Sequence, residues 1–378
     1  MMQESIARNE MLYSKMLVKL YNTSLLTSTN LVSVLKDLCA TCNRTKQVKK
    51  LFQSLRSLGV NILPEVLVHK LRFKVMTVSV KVKKVRSCPV LPSIIAKAPY
   101  IRSILLSYPN RVILTAYVPE NIVEEIRDIV SAGDGADVCS SGFAHDYVVR
   151  SKPLPEYLFM ALEGLEPVIS EESFGLCIEN MLTLPEDWNK KPRITGAALN
   201  ALDLLSLDPT LTIYEVRDAL SERLKKDISI EKTRKIVNSA SKFVYGYRVS
   251  ITRAPGVSNA KLGVLIKSVS DPAKLCLSAV RHPLTISCLW NPQEVLLYIS
   301  LPEVSLVKFK ENFFWFIDQF GGEVCDLFEY FVDPSHMVVI NMPYLRWSPL
   351  LRSWTVARNA NLVLSVVEKL RNAGCVEV

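Results

Sequence analysis

The sequence has 378 residues, of which 49% are hydrophobic and 22% are charged, and its formal net charge is +9. This apolar content excludes a chain that is disordered over most of its length, and the length corresponds to two or three domains. No apolar run reaches the roughly 18 residues that cross a bilayer, and the nine scattered cysteines fit free thiols in a reducing cytosol. We therefore expect a cytoplasmic, nucleoid-associated protein with no membrane partner.

Residues 1–65 predict a helix-turn-helix domain. A helix over Glu10–Tyr21 is followed by one that Thr29 caps and by a third over Arg44–Leu58, which Gly59 closes. Residues 1–86 contain 16 Lys and Arg against 4 Asp and Glu. This local excess favours a polyanionic partner such as nucleic acid. The alternatives are a plain three-helix bundle and a solvated basic surface with no partner.

Residues 66–152 predict a first ferredoxin-like domain with the order β-α-β-β-α-β. Its strands are rich in β-branched residues, and its second and third strands are joined by a tight turn at Pro109. The predicted elements are Met76–Lys83, a short helix around Pro92–Ala98, Ile101–Ser107, Arg111–Val118, helix Asn121–Ala132 and strand Asp137–Val149.

The second half of the chain predicts the same two kinds of domain after an acidic linker over 153–194. A second helix-turn-helix domain occupies 195–252, and a second ferredoxin-like domain occupies 253–340. The helices of the former are Ala197–Leu207, Ile213–Lys226 and Ile230–Ser241, the last two capped by Thr212 and Ser229. The elements of the latter are Leu262–Val269, helix Pro272–Val280, Leu284–Trp290, Val295–Leu301, helix Ser305–Phe320 and strand Glu323–Val332.

An internal repeat at a spacing of 183 residues supports this duplication. Tyr108–Glu120 aligns with Asn291–Glu303, and both prolines and the final glutamate of each segment coincide. The C-terminal extension, 341–378, contains a predicted amphipathic helix over Asn359–Ala373. We interpret that helix as a docking or association element.

The third helix of each helical domain carries the candidate DNA contacts, because a short helix with basic residues near its N-terminus can enter the major groove. The alternative is a surface helix whose lysines are merely solvated. The candidate residues are Arg44, Thr45, Lys46, Gln47, Lys49 and Lys50 in the first helix, and Lys232, Thr233, Arg234 and Lys235 in the second.

No residue pattern indicates catalysis, a metal or a cofactor. Cys39 and Cys42 form a CxxC, but a zinc site needs two further ligands and no second CxxC or HxxxH occurs. The four histidines are isolated from one another in the sequence. We therefore predict that the chain is not an enzyme and that it has no catalytic residues, no metal site and no cofactor.

A helix-turn-helix followed by β-α-β-β-α-β resembles the Lrp/AsnC family of bacterial and archaeal transcription regulators. Gly246-Tyr247 stands where that family has a Gly-Tyr signature, and Leu262-Gly263 resembles its entry to the first sheet strand. The first half lacks the Gly-Tyr pair. The resemblance implies that the ferredoxin-like domains pair through their sheets, and that some members bind small effectors such as amino acids. Relatives of the fold also include enzymes that decarboxylate a tetrapyrrole, but their sheet pattern rich in arginine and histidine is not evident here.

These patterns together predict an α+β chain made of two tandem copies of a helix-turn-helix domain and a ferredoxin-like domain. We expect an archaeal or bacterial transcription regulator that binds double-stranded DNA through two unequal helices. A small-molecule effector is a further expected partner, with the two halves forming a pseudo-dimer and a homodimer as an additional state. The alternatives are a metabolite-sensing or protein-binding module without DNA binding, and an enzyme derived from the same fold.

Overall fold

The computed structural model describes most of both halves of the chain. The described residues are 13–23, 27–35, 45–81, 101–107, 111–123, 143–251, 257–303, 305–331, 337–339, 347–348 and 353–354. Five predicted features lie wholly or largely outside them: the CxxC, Arg44, the helices around Pro92–Ala98 and Asn121–Ala132, and the C-terminal helix.

The first helical domain consists of α1 (13–21), α2 (Ser28–Leu35) and α3 (Thr45–Ser57). Its apolar stripes meet in one core, which includes Leu17 and Leu20 of α1 and Val48 of α3. Gly59 follows α3 with φ 83°, a left-handed conformation that suits glycine after a helix. The predicted third helix is confirmed to within one residue at each end.

Two helices in the region predicted as a linker precede the second helical domain. They are α4 (Pro155–Glu163) and α5 (Glu171–Glu179). The second domain consists of α6 (Gly196–Leu207), α7 (Ile213–Leu224) and α8 (Ile230–Ala240). Thr212 and Ser229 accept backbone hydrogen bonds from Glu215 and Lys232, so both predicted N-caps are confirmed.

The ferredoxin-like domains share one strand order. In the first, the strands are β2 (Phe73–Lys81), β3 (Ile101–Ser107), β4 (Arg111–Pro119) and β5 (Phe143–His145), after a separate strand β1 (Val60–Val66). In the second they are β8 (Val257–Lys267), β9 (Thr285–Trp290), β10 (Glu294–Pro302) and β11 (Glu323–Phe331), with α9 (Pro272–Ala279) and α10 (Leu306–Asp318) between them. The spatial orders β5-β2-β4-β3 and β11-β8-β10-β9 are both fourth-first-third-second. The predicted α+β class with two ferredoxin-like units is confirmed.

The last strand of the first unit crosses to the second unit. β5 pairs with β2 of its own unit, placing His145 opposite Val75. Only Asp146 separates it from β6 (Tyr147–Arg150), which pairs with β9 and places Tyr147 opposite Trp290. The predicted single strand Asp137–Val149 is therefore wrong in detail, because the strand changes partners at Asp146.

The last strand of the second unit crosses back in the same way. β11 pairs with β8, and the short β12 (Met337–Val339) pairs with β3 of the first unit. The two crossings close the sheet on itself, since its two ends, β5 and β6, are adjacent in the chain. We call this closed sheet, formed by β2–β6 and β8–β12, the barrel. It joins the two halves of the chain through their strands.

The strands that follow the third helices also pair across the halves. β1 lies antiparallel to β7 (Val244–Ile251), with Val60 opposite Ile251. Gly246 of β7 has φ 61°, and a Cβ added there would lie 1.6 Å from the carbonyl oxygen of Tyr21. The glycine of the Gly-Tyr signature is therefore required where α1 passes over β7.

The region 153–194 is built into the core rather than spanning solvent. Side chains of α4 join the core of the first helical domain, and Phe174 of α5 packs against Phe309 and Phe316 of α10. A short hairpin of β13 (Trp347–Ser348) and β14 (Ser353–Trp354) completes the described elements. No helix in the described residues is long and apolar enough to cross a membrane.

The expectation of free thiols is wrong for Cys276, Cys288 and Cys325, which are disulfide-bonded. Cys276 on α9 and Cys288 on β9 form a disulfide with a Cα–Cα distance of 5.3 Å. Because the fold packs α9 directly on β9, cysteines 12 residues apart come within bonding range. Cys177 is a free thiol, and burial raises its pKa to about 12.

Candidate functional site

The third helix of the first helical domain, α3, exposes only some of its predicted DNA-contacting residues to solvent. Lys46 and Lys50 are exposed, whereas Thr45 and Gln47 are half-buried. Lys49 lies 3.1 Å from Glu215 at the start of α7, in the other half of the chain. Its charge is therefore shared with an internal carboxylate, and a phosphate would have to compete for it.

The third helix of the second helical domain, α8, exposes three of its four candidate DNA-contacting residues to solvent. Lys232, Arg234 and Lys235 are exposed, and Lys235 lies 2.8 Å from Glu231, one turn away on the same helix. Thr233 is fully buried, and its hydroxyl donates a hydrogen bond of 3.0 Å to the carbonyl oxygen of Ser229. Thr233 therefore faces the core of its own domain and stabilises α8 instead of presenting its hydroxyl to a groove.

A different set of polar groups lies inside the barrel. In β10, Val295, Leu297 and Ile299 pack outward against the helices, so the alternate positions 296, 298 and 300 face inward. Residues directly opposite on neighbouring strands share a face, and the cross-strand register therefore assigns further residues to the interior. Besides apolar side chains, the inward residues include Thr77, Thr115, Tyr117, His145, Arg150, Lys261, Ser287, Tyr298 and Ser300, and, towards one end, Glu294, Lys267 and Asp326.

Arg150 brings a cation into this interior. It lies opposite Ser287 of the second unit, two residues beyond the inward Val148, and its guanidinium donates a hydrogen bond of 2.9 Å to the hydroxyl of Tyr117 on β4 of the first unit. Its backbone N–H donates to the carboxylate of Glu65 at 2.6 Å. The two ferredoxin-like units thus meet at Arg150, whose planar guanidinium group has further N–H donors.

Lys261 brings a second cation into the interior. It lies opposite Ser300 on β10, and its Nζ donates a hydrogen bond of 3.0 Å to the hydroxyl of Ser300. The residue is only 8% exposed, and burial lowers the pKa of its ammonium group to about 8. Lys261 is therefore a group that gains or loses its proton close to neutral pH.

Tyr298 lies between these two cations in the register. It is directly opposite Ser287, the partner of Arg150, and two residues before Ser300, the partner of Lys261. Burial raises the pKa of its phenol to about 12, although nearby hydroxyls of Thr115 and Thr77 oppose the shift. Tyr298 therefore stays protonated at neutral pH and retains a hydroxyl donor in the interior. Burial lowers the pKa of the inward His145 to about 3, so that ring is neutral.

A separate buried ion pair joins the barrel to the first helical domain. The Nζ of Lys152 lies 3.3 Å from a carboxylate oxygen of Glu65, and neither side chain is more than 1% exposed. The same Nζ donates to the carbonyl oxygens of Tyr21 and Tyr245. Burial lowers the pKa of Lys152 to about 8, and Glu65 opposes that shift. With these partners, Lys152 acts as a structural junction of α1, β1 and β7.

Sequence reasoning missed Arg150, Lys261 and Tyr298 because each is a single polar residue inside a strand. One signal was present for Lys261, which interrupts the apolar run 260–266 of β8. A charge within a strand that is buried on both faces is unusual. Within the described residues, no group of three or more potential metal ligands comes together.

Comparison with known proteins gives similarity in structure only. No family description matches the sequence, and no curated protein is similar to it in sequence. The structure is similar to that of the siroheme decarboxylase NirDL, with a TM-score of 0.46 and 9% identity over 95% of this chain and 99% of that chain. A second structure of NirDL, in complex with an iron-uroporphyrin III analogue, gives a TM-score of 0.43 and 10% identity over 84% and 90% of the two chains. Aspartate kinase from Synechocystis gives a TM-score of 0.26 and 10% identity over 93% and 68%.

These similar structures are enzymes, and the prediction that this chain is not an enzyme is contradicted by that finding. We do not retain it. Nothing in these comparisons tests the predicted DNA contacts, which stay predictions.

Proposed function

We propose that the chain is an enzyme that binds a small anionic organic molecule inside the barrel and acts on it there. The observation that carries this proposal is the pair of cationic side chains, Arg150 and Lys261, that face the interior of the barrel. An interface that served only to join two domains would be more stable with apolar side chains at these positions. Buried ionisable groups with perturbed protonation are concentrated at functional sites.

The geometry of the interior suits recognition of oxyanions. Arginine and lysine donate charge-assisted hydrogen bonds to carboxylates, and the hydroxyls of Tyr117, Tyr298 and Ser300 add neutral donors. A lysine whose pKa is about 8 is also suited to move a proton near neutral pH. The barrel thus brings together groups suited to oxyanion binding and a group suited to proton transfer.

The test is a thermal-shift screen of small anionic, neutral and cationic metabolites, with siroheme included because it is named for the similar structures. Hits are then incubated with the protein and followed by mass spectrometry for chemical change. We expect anionic compounds to raise the Tm of the wild type, and Arg150→Gln to abolish the shift. The surface variant Lys46→Ala/Lys50→Ala should keep it. Equal shifts in all three proteins would refute a site in the barrel.

Sequence-independent DNA binding is a second candidate function, favoured by the exposed cations Lys46, Lys50, Lys232 and Arg234 on α3 and α8. Replacing Lys46 and Lys50 with Ala should flatten the plot of log affinity against log salt by up to about 2. Thr233→Ser, which keeps the buried hydroxyl, is the control and should not change it. An unchanged slope in the double variant would remove these lysines from the DNA contacts.

A further inference from the structure

We propose that the ion pair between Lys49 and Glu215 is an autoinhibitory contact, in which the second half of the chain covers a phosphate-binding lysine of the first half. This inference rests on the second candidate function, DNA binding, and is independent of any ligand in the barrel. The observation that carries it is that the Nζ of Lys49 donates to both carboxylate oxygens of Glu215, at 3.1 and 3.2 Å. Because Lys49 belongs to α3 and Glu215 to α7, the contact joins the two helical domains.

Lys49 lies on the side of α3 that DNA would approach. Residues three and four apart share one face of a helix, so Lys49 and Lys50 both lie beside Lys46. Lys46 and Lys50 are exposed, and the start of α7 lies next to them at Lys49. Glu215 therefore brings a negative charge to the place where a phosphate would bind. DNA that contacts α3 must displace Glu215 from Lys49, or else bind beside a like charge.

The carboxylate of Glu215 is held in this position by its own helix. It accepts a hydrogen bond of 2.6 Å from the backbone N–H of Thr212, and the backbone N–H of Glu215 donates to the hydroxyl of Thr212 at 3.2 Å. These two bonds form a capping box at the start of α7. The N–H of Thr212 and the ammonium group of Lys49 lower the pKa of Glu215. The residue is therefore a fixed negative charge at neutral pH.

The contact can be broken without disrupting a core. Buried side chains of α3 belong to the core that includes α1 and β1, whereas those of α7 belong to the core that includes α6 and α8. The side chains of Lys49 and Glu215 are 32% and 47% exposed, and an ion pair this exposed is weak in water. A DNA phosphate can therefore replace Glu215 at Lys49 while both helical domains stay folded.

The contact is first measured without DNA, by carbodiimide crosslinking of the full chain. The carbodiimide activates a carboxylate, an adjacent amine forms an amide bond with it, and the activating group leaves as a urea. Mass spectrometry of a digest should show Lys49 joined to Glu215, and saturation with a DNA duplex of about 30 base pairs, three helical turns, should remove most of that product. The ion pair of Lys191 with Glu120, outside both helical domains, is the matched control, and DNA should not change its crosslink.

The effect on DNA binding is measured with charge variants, by fluorescence anisotropy of the same duplex over a range of salt concentrations. Glu215→Gln removes the charge and keeps the capping box, because glutamine also serves at that position. We expect it to steepen the plot of log affinity against log salt by about 0.9 and to raise affinity about eightfold at roughly 0.1 M salt, as one additional phosphate contact implies. Adding Lys49→Gln should abolish this gain. Glu222→Gln, which removes an exposed charge near the other end of α7, should not change the slope.

The outcomes separate the inference from DNA binding itself. If the duplex binds the wild type and Glu215→Gln with the same affinity and slope, the autoinhibitory contact is overturned and DNA binding stands. A gain that persists after Lys49→Gln is added would show a general effect of charge and would also overturn the inference. If neither the wild type nor Glu215→Gln binds the duplex, the second candidate function fails together with it. Absence of the crosslink between Lys49 and Glu215 overturns the contact without bearing on DNA binding.

Discussion

Replacing Lys261 with Met should stabilise the fold at neutral pH. Burial lowers the pKa of this ammonium group from its ordinary value of 10.5 to about 8, so the folded state binds the proton less tightly than the unfolded chain does. A difference of this size costs about 3 kcal/mol of folding free energy at pH 7, since each pKa unit corresponds to about 1.4 kcal/mol. Methionine has no such cost and fills a similar volume. Ser300 and the other groups that contact the ammonium then lose that contact, which costs about 1 kcal/mol or more, so the expected net gain is at most about 2 kcal/mol.

The pH dependence of the stability gained in Lys261→Met tests whether the buried ammonium charge is its cause. Because the folded-state pKa of Lys261 is lowered, stability of the wild type increases as the pH rises from about 8 towards 10.5, where the folded chain holds a neutral amine. Urea unfolding of the two proteins at pH 7 and pH 10 should therefore show the methionine variant losing most of its advantage at the higher pH. Lys232→Met, at an exposed position, should change stability by less than about 0.5 kcal/mol at both values. A Lys261→Met variant that is less stable at pH 7 would refute the assignment of a buried, destabilising cation.

Three further outcomes follow from the packing. Lys152→Met should lower the free energy of unfolding by about 3 kcal/mol, because Glu65 stays buried without its cation, and adding Glu65→Gln should recover part of the loss in urea unfolding. Gly246→Ala should cost about 3 kcal/mol or prevent folding, because its Cβ would overlap the carbonyl of Tyr21, whereas Gly175→Ala inside α5 has free space and should gain up to about 1 kcal/mol. Cys276→Ser should remove about 3 kcal/mol of disulfide stabilisation, and a reductant should lower the Tm of the wild type by more than that of this variant, which keeps the disulfide of Cys325.

Local patterns predicted most of the elements, because they depend on residues close in sequence. The third helices, the Thr212 and Ser229 caps and the strand pairs on either side of Pro109 and Pro292 come from periodicity and turn residues. The repeat also predicted that both units have one strand order, and they do. Each of these signals lies within a window of about 15 residues.

The candidate site could not be predicted in the same way, because it depends on pairing between the halves. The change of partner at Asp146 brings β6 against β9, and only then does Arg150 enter the interior opposite Ser287. Similarly, alternation in β8 places Lys261 on one of two faces, but nothing in the sequence states which face is enclosed by the other unit. The excess of positive charge near the N-terminus favoured α3 as the site, whereas the two cations inside the barrel, Arg150 and Lys261, lie on strands.

A crystal structure of the chain with a stabilising ligand from the screen tests the central claim most directly. We expect the ligand inside the barrel, with an oxyanion within hydrogen-bond distance of the Arg150 guanidinium. A ligand bound on the outer helical faces, with the Arg150 side chain arranged as it is without it, would contradict the account.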